Sequence, residues 1–249
     1  LKSLIIIPAR LASTRLPRKL LLNQTGKPLI QHTYESAQTS RLASRVLVAA
    51  DDPAIVGVVQ GFGGDALLTD PKHTCGTDRI AEVALKLSDY DLIVNVQGDE
   101  PELPGAAIDL ALSVFAERPE ANMATLATPI RDRKSLESPS CVKVVIDDQQ
   151  RALYFSRAPI PFARYWDNSL LDLTPACFLQ HIGLYVYRRD FLLTVAKSAP
   201  TIIETIESLE QLRVLTLGEP IHVRIIEHGV RGIDTPEDYQ AFVRRQRDR

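Results

Sequence analysis

The sequence predicts an α/β fold: a mostly parallel sheet wound on both faces, with a mixed-sheet excursion in its second half. Three observations point to it. Over the first 120 residues, continuous β-branched runs alternate with helical patterns, as parallel strands covered on both faces require. Beyond that point, strands follow one another without long helices between them. The chain has 249 residues, 45% apolar and 24% charged, which suits one large globular domain or two small ones and excludes disorder.

The elements follow in order. "SLIIIPA" (3–9) reads as the first strand, and "PLIQHTYESAQTS" (28–40) places its apolar residues on one helical face behind Pro28. "RVLVAAD" (45–51) is a second strand, and "AIVGVVQGFGG" (54–64) a short helix stopped at Gly63 and Gly64. "DALLTD" (65–70) is a weaker strand, and "GTDRIAEVALKL" (76–87) a helix capped by Thr77 or Asp78. "DLIVNVQGDEP" (91–101) is the strongest strand signal and ends in two carboxylates; a helix follows over 106–119. Strands are then expected at 123–130, 141–147 and 152–156. A strand and a helix share 180–197, a helix covers 206–218, and a last strand covers 221–227. "TPEDYQAFVRRQRD" (235–248) closes the chain as a helix, with Thr235 and Asp238 forming a capping box. The organisation expected is one compact domain: a doubly wound half over 1–120, a mixed-sheet part over 121–230, and a closing helix over 231–249.

Composition narrows the function. A net charge of −2 leaves no electrostatic footprint for nucleic acid. No apolar run approaches the roughly 18 residues of a membrane span, and the start lacks a signal-peptide pattern, so a cytoplasmic location is expected. The three cysteines have no C-x-x-C spacing and the five histidines no H-x-x-x-H pair, so neither a zinc site nor a disulfide framework is suggested.

Against this neutral background the turn after the first strand stands out. "PARLASTRLPRKLL" (8–21) carries Arg10, Arg15, Arg18 and Lys19 at the carboxyl end of the strand, where open α/β sheets bind ligands. Residues 8–25 contain no glycine, so neither backbone phosphate cradle, G-x-G-x-x-G or G-x-x-x-x-G-K-[ST], is present. Anionic phosphate bound here would have to be met by side chains; the alternative is a solvated basic loop, disfavoured because like charges this dense repel without an anion between them. "NVQGDEP" (95–101) sets Gln97, Asp99 and Glu100 after another strand, and "GIDTPED" (232–238) does the same with Asp234. One or two carboxylates facing a phosphate loop are what a Mg²⁺–nucleotide site needs. For Asp234, spacing weighs metal ligand and helix-entry residue equally. "HTCGTDR" (73–79) offers backbone donors around Gly76 and the cation Arg79. His181, Tyr185 and Tyr187 share one strand face by their period of two, and Glu210 and Gln211 interrupt an apolar helix surface. On spacing alone, those last two groups read as core and as solvated surface.

Taken together, "IPARLASTRLPRKLL", "HTCGTDR", "VNVQGDEP", "CVKVV", "ALYFSRAPIPF", "HIGLYVYR", "LEQLRVL" and "GIDTPEDY" resemble the signature series of the 3-deoxy-manno-octulosonate cytidylyltransferase (CMP-Kdo synthetase) family. They run in the family's order over residues 4–239. The resemblance implies a Rossmann-like nucleotidyltransferase sheet and a cytoplasmic homodimer that makes CMP-Kdo and pyrophosphate from CTP and Kdo with Mg²⁺, for lipopolysaccharide synthesis. It implies that Pro8, Ala9, Arg10, Arg15 and Lys19 meet the nucleotide, the three cations on its phosphates, while Thr74, Cys75, Gly76, Arg79 and Gln97 face cytosine and ribose. Asp99 and Asp234 would bind Mg²⁺ and, with Lys19 and Arg10, form the catalytic set. Gln97, Arg157, His181, Tyr185, Glu210 and Gln211 would line the sugar-acid pocket. CMP-sialic acid synthetase and a non-catalytic nucleotide-binding homologue are the alternatives. Two departures from the family pattern matter: Arg18 stands where many relatives have glycine and Leu20 where they often have proline, and Cys75 replaces a frequent serine. A positive φ at position 18 would strain the loop.

Overall fold

A computed structural model describes residues 1–73, 75–229 and 232–248. Its backbone gathers into two units: residues 1–109 with the C-terminal stretch from 230, and residues 110–229.

In the first unit, β1 (Ser3–Ala9), α1 (Leu29–Gln38), β2 (Arg45–Ala50), α2 (Pro53–Gly61), β3 (Ala66–Leu68), α3 (Gly76–Lys86) and β4 (Leu92–Asn95) alternate as expected. The strands lie in the order β3-β2-β1-β4, and every pair among them is parallel. Ile5, Ile6 and Ile7 of β1 are wholly buried, because a central parallel strand has no solvent face to alternate with. Asp52 caps α2 by accepting from Ala54 N at 2.7 Å, and Gly63 ends it at φ +80°. The cap of α3 corrects the sequence expectation: Cys75 fills it, its Sγ accepting from Asp78 N at 3.4 Å. Thr77 and Asp78 lie inside the helix.

Helix α4 (Gly105–Glu117) leads into the second unit. There β5 (Met123–Pro129), α5 (Arg133–Glu137), β6 (Lys143–Ile146), β7 (Ala152–Ser156), β8 (Leu179–Arg188), α6 (Arg189–Lys197), α7 (Ile202–Glu207), α8 (Gln211–Thr216) and β9 (Ile221–Ile225) follow. β5 pairs antiparallel with β8 and parallel with β9, and β6 pairs antiparallel with β7 and β8. The mixed sheet is therefore present. The helix expected over 206–218 is two helices, α7 and α8, broken where Ser208 turns left-handed at φ 51°. The chain then returns to the first unit with α9 (Pro236–Arg247), whose capping box between Thr235 and Asp238 is formed.

Candidate active site

Three stretches of the first unit converge on one lysine. A single helical turn at 19–21 buries Lys19 and Leu20. Lys19 Nζ donates to Asp99 Oδ2 at 2.6 Å and to Asp234 Oδ1 at 3.2 Å, and an Arg15 guanidinium nitrogen lies 2.9 Å from the same Asp234 oxygen. Packing makes this meeting possible. A Cβ on Gly98 would lie 3.2 Å from Pro8 O and 3.3 Å from the Leu20 side chain, so glycine lets the loop after β4 press against the cationic turn without pushing either neighbour back. Thr33 Oγ1 donates to Gly98 O at 2.8 Å, and Ile233 N donates to Asp99 O at 2.9 Å, joining the two aspartate loops.

Spacing weighed two roles for Asp234 equally. In the structure the helix is entered through Thr235, while the Asp234 carboxylate goes to Lys19 and Arg15. Glu100, beside Asp99, stands in the carboxylate pair of "NVQGDEP" but is given no role by the resemblance. Its Oε2 is buried without a hydrogen-bond partner, and burial, with the charges of Asp99 and Asp234, pushes its carboxyl up to about 8. Its signal was its place in the Asp99-Glu100 pair. Arg18 adopts φ 52°, ψ 33°, the left-handed conformation in which glycine is at ease, so the strain anticipated there is present.

The remaining nucleotide candidates are placed as follows. Pro8 and Ala9 end β1, and Arg10 is exposed just beyond. Cys75 caps α3 and Gly76 begins it, where a Cβ would meet the Pro8 ring at 3.7 Å, an ordinary contact. Thr74 lies outside the described residues. Arg79 is fully buried rather than presented at the surface: it donates to Thr69 Oγ1 at 2.5 Å, while its Nε and Nη2 find no hydrogen-bond partner and Nη2 lies 3.9 Å from Asp51 Oδ2. Burial lowers its affinity for its proton, with Asp51 opposing. Gln97 is half-buried and donates to Asn95 Oδ1 at 3.3 Å.

The second unit gathers most of the sugar-pocket candidates. Gln211 is buried, contrary to the solvated surface its spacing suggested. Its Oε1 accepts from the Tyr185 hydroxyl at 3.0 Å, and its Nε2 is a buried donor without a partner. His181 lies edge-on to Phe155, with centroids 5.0 Å apart, and tilted against Tyr185 at 5.4 Å. Burial drives the His181 pKa down to about 3, so its imidazole is neutral. The local cation is Arg157, whose guanidinium donates to the carbonyls of Glu207, Pro139 and Ser208 at 2.7, 3.0 and 3.2 Å. Glu207 also accepts from Arg157 N at 2.9 Å and Ser156 Oγ at 2.6 Å. Lys143 is buried and braces the same loop, donating to the carbonyls of Ser138, Cys141 and Arg157. A lysine in the apolar run "CVKVVI" was a readable signal for that bracing role. Glu210 is exposed at the start of α8.

Among the described residues, no group of three or more His, Cys, Asp or Glu gathers as a metal cage, and no helix is long and apolar enough to cross a membrane. The oxygen donors of Asp99 and Asp234 do suit Mg²⁺, which takes one or two carboxylates and completes its shell with phosphate and water. That one cation, Lys19 Nζ, reaches both carboxylates is the observation behind this fit.

Residues 4–221 match the family model described as cytidylyltransferase. The chain is 49% identical to the 3-deoxy-manno-octulosonate cytidylyltransferase of Rhodopirellula baltica, with 98% of each chain covered. It is also 49% identical to that of Geobacter sulfurreducens, with 96% of each covered. Among solved structures it superposes, with a TM-score of 0.91 and 39% identity over 99% of both chains, on a CMP:2-keto-3-deoxy-manno-octonic acid synthetase complexed with CTP. A 4-diphosphocytidyl-2C-methyl-D-erythritol synthase from Anaerococcus prevotii, at 13% identity and a TM-score of 0.66, shares the fold. The chain thus belongs to the cytidylyltransferase family, among its 3-deoxy-manno-octulosonate cytidylyltransferases.

Proposed function

We propose that the protein transfers the cytidylyl group of CTP to 3-deoxy-manno-octulosonate, forming CMP-Kdo and pyrophosphate for lipopolysaccharide synthesis. The observation that carries this reading is the meeting of Lys19, Asp99 and Asp234 in a chain 39% identical to a synthetase complexed with CTP. In the reaction, the anomeric hydroxyl oxygen of Kdo bonds to the α-phosphorus in line with the leaving group. The bond from that phosphorus to the bridging oxygen of the β-phosphate breaks, pyrophosphate departs with the electron pair, and the hydroxyl proton passes to solvent. Such transfers ask a protein mainly for positioning and charge stabilisation. Arg10, Arg15 and Lys19 would offset the charge that grows on pyrophosphate. Asp99 and Asp234 would hold Mg²⁺, with Glu100 alongside. When bound, Mg²⁺ polarises the α-phosphate and lowers the pKa of the attacking hydroxyl.

The second unit would select the sugar acid. Arg157 supplies positive charge for a carboxylate, and Tyr185, Gln211 and neutral His181 supply hydrogen bonds for hydroxyls. A site of this composition rejects ill-fitting sugars by leaving buried polar groups unpaired. The same unit exposes Phe162, Tyr165, Ile202 and Ile206, each at least 76% accessible, which supports a homodimer formed through it. A cytoplasmic location agrees with CTP as substrate. The test is pyrophosphate release from CTP with Kdo, with sialic acid or with no acceptor, with and without Mg²⁺. Release that requires both Kdo and Mg²⁺ supports the proposal. Release with sialic acid alone, or none with any acceptor, overturns it.

A further inference from the structure

A bulge in β8 brings two aromatic rings together and puts a threonine behind one of them. Thr125 of β5 stands opposite Tyr185, but its neighbour Leu126 stands opposite Ile182, so the register slips by two residues of β8 between them. In a regular strand, His181 and Tyr185 would be about 13 Å apart. Here their ring centroids are 5.4 Å apart. Bulges of this kind re-aim side chains, and this one turns two rings of one strand toward the same spot.

The wholly buried Thr125 hydroxyl faces three groups at hydrogen-bond distance: Leu184 O at 2.7 Å, Ile182 O at 3.2 Å and His181 Nε2 at 3.0 Å. It has one proton to give. Carbonyl oxygens only accept, whereas a neutral imidazole nitrogen can be donor or acceptor. If the hydroxyl gave its proton to His181, its lone pairs would face two carbonyl oxygens, one only 2.7 Å away. If it gives the proton to Leu184 O, the imidazole supplies its own proton and both bonds form. The arrangement therefore selects the Nε2–H tautomer, which leaves Nδ1 as a bare lone pair.

We propose that Thr125 is a positioning residue that locks His181 as the Nε2–H tautomer, so that its Nδ1 accepts a hydrogen bond from a hydroxyl of the sugar acid. The proposal rests on the reading of the second unit as the sugar-acid site and adds a direction to it. A substrate group meeting this ring must be a donor, so a sugar whose hydroxyl there is methylated or replaced by a keto oxygen is rejected. The depressed basicity of His181 agrees with a ring that stays neutral.

The test reads the tautomer directly, by long-range ¹⁵N–¹H correlation on protein labelled with ¹⁵N-histidine, with a His181→Gln spectrum to assign the signal. The expected wild-type signal is a protonated Nε2 with an unprotonated Nδ1. Thr125→Val should lose that preference and raise the Michaelis constant for Kdo about tenfold, leaving that for CTP unchanged. Thr125→Ser should keep both the tautomer and the kinetics, which separates a lost hydroxyl from a misfolded strand. A wild-type Nδ1–H tautomer overturns the proposal. So does a Thr125→Val protein that changes tautomer yet binds Kdo normally. A wild-type protein with the expected tautomer but no turnover of Kdo would instead overturn the assignment of substrate.

Discussion

In the first unit, four charged side chains (Arg15, Lys19, Asp99 and Asp234) lie within one network of ion pairs. In the second, Tyr185 and Gln211 share a neutral hydrogen bond, and His181 is held uncharged by burial. The contrast matches the two substrates proposed. A nucleoside triphosphate is recognised chiefly by its charge, and balanced charges can wait for it without a large cost in stability. A polyhydroxylated sugar acid carries one charge and many neutral donors and acceptors. Its site must keep polar groups ready, and the buried, unpartnered Nε2 of Gln211 is such a group.

The largest expected effect breaks the charged side of the comparison. Asp99→Asn should lower turnover about a thousandfold while CTP still binds measurably, as seen by pyrophosphate release and calorimetry. Wild-type-like turnover in Mg²⁺ would remove Asp99 from the metal site. Next comes Lys19→Ala, which should weaken CTP binding by about 2 kcal/mol, about thirtyfold. It also leaves Asp99 and Asp234 facing each other without their shared cation. Its melting temperature should therefore fall, and Mg²⁺ should restore it more than it raises that of the wild type. A Mg²⁺ response no larger than wild type would mean that the two carboxylates do not bind the ion together.

The neutral side is sharpened by pH. His181 has its folded-state pKa depressed from the ordinary 6.5 to about 3. Between these values the unfolded chain binds a proton that the folded chain does not, so the stability of the neutral ring is complete above pH 6.5 and declines as pH falls toward 3. From pH 6.5 to pH 5 the loss from this group is about 2 kcal/mol. His181→Gln should flatten that part of the stability curve, measured by urea unfolding at each pH. An unchanged slope would show that His181 is not buried neutral. The smallest effect is expected at Arg18. Its left-handed backbone costs about 1–2 kcal/mol, part of which Arg18→Gly recovers, raising stability by about 1 kcal/mol with little effect on kinetics.

The two units also differ in how far the sequence announced them. Lys19 and Asp99 were legible because charges at the carboxyl ends of apolar strands have few structural reasons to be there, whereas Asp234, nine residues beyond the last strand, could not be told from a helix-entry residue by spacing. The strands of the first unit were legible as well, since apolar runs such as "LIIIPA" suit strands buried on both faces. The second unit was harder to read. The break between α7 and α8 is made by one serine turning left-handed, which no periodicity reveals. The β8 bulge depends on the strand it pairs with, and Thr125 has the appearance of any β-branched strand residue. The burial of Gln211 is a tertiary outcome that overrides the polarity of its side chain. The burial of Arg79, a motif cation that the fold places entirely inside, was equally illegible.

The central claim is that charge in the first unit serves the nucleotide and neutral hydrogen bonding in the second serves the sugar acid. The most direct test is the pair of Michaelis constants, for CTP and for Kdo, measured side by side in Lys19→Ala and Gln211→Leu. Gln211→Leu removes an unpartnered buried donor but also the acceptor of the Tyr185 hydroxyl, so it should lose no more than about 1 kcal/mol of stability, the worth of one neutral hydrogen bond. The account predicts opposite defects: Lys19→Ala raises the constant for CTP and hardly moves that for Kdo, and Gln211→Leu does the reverse. Two variants that impair both substrates to the same degree would contradict it.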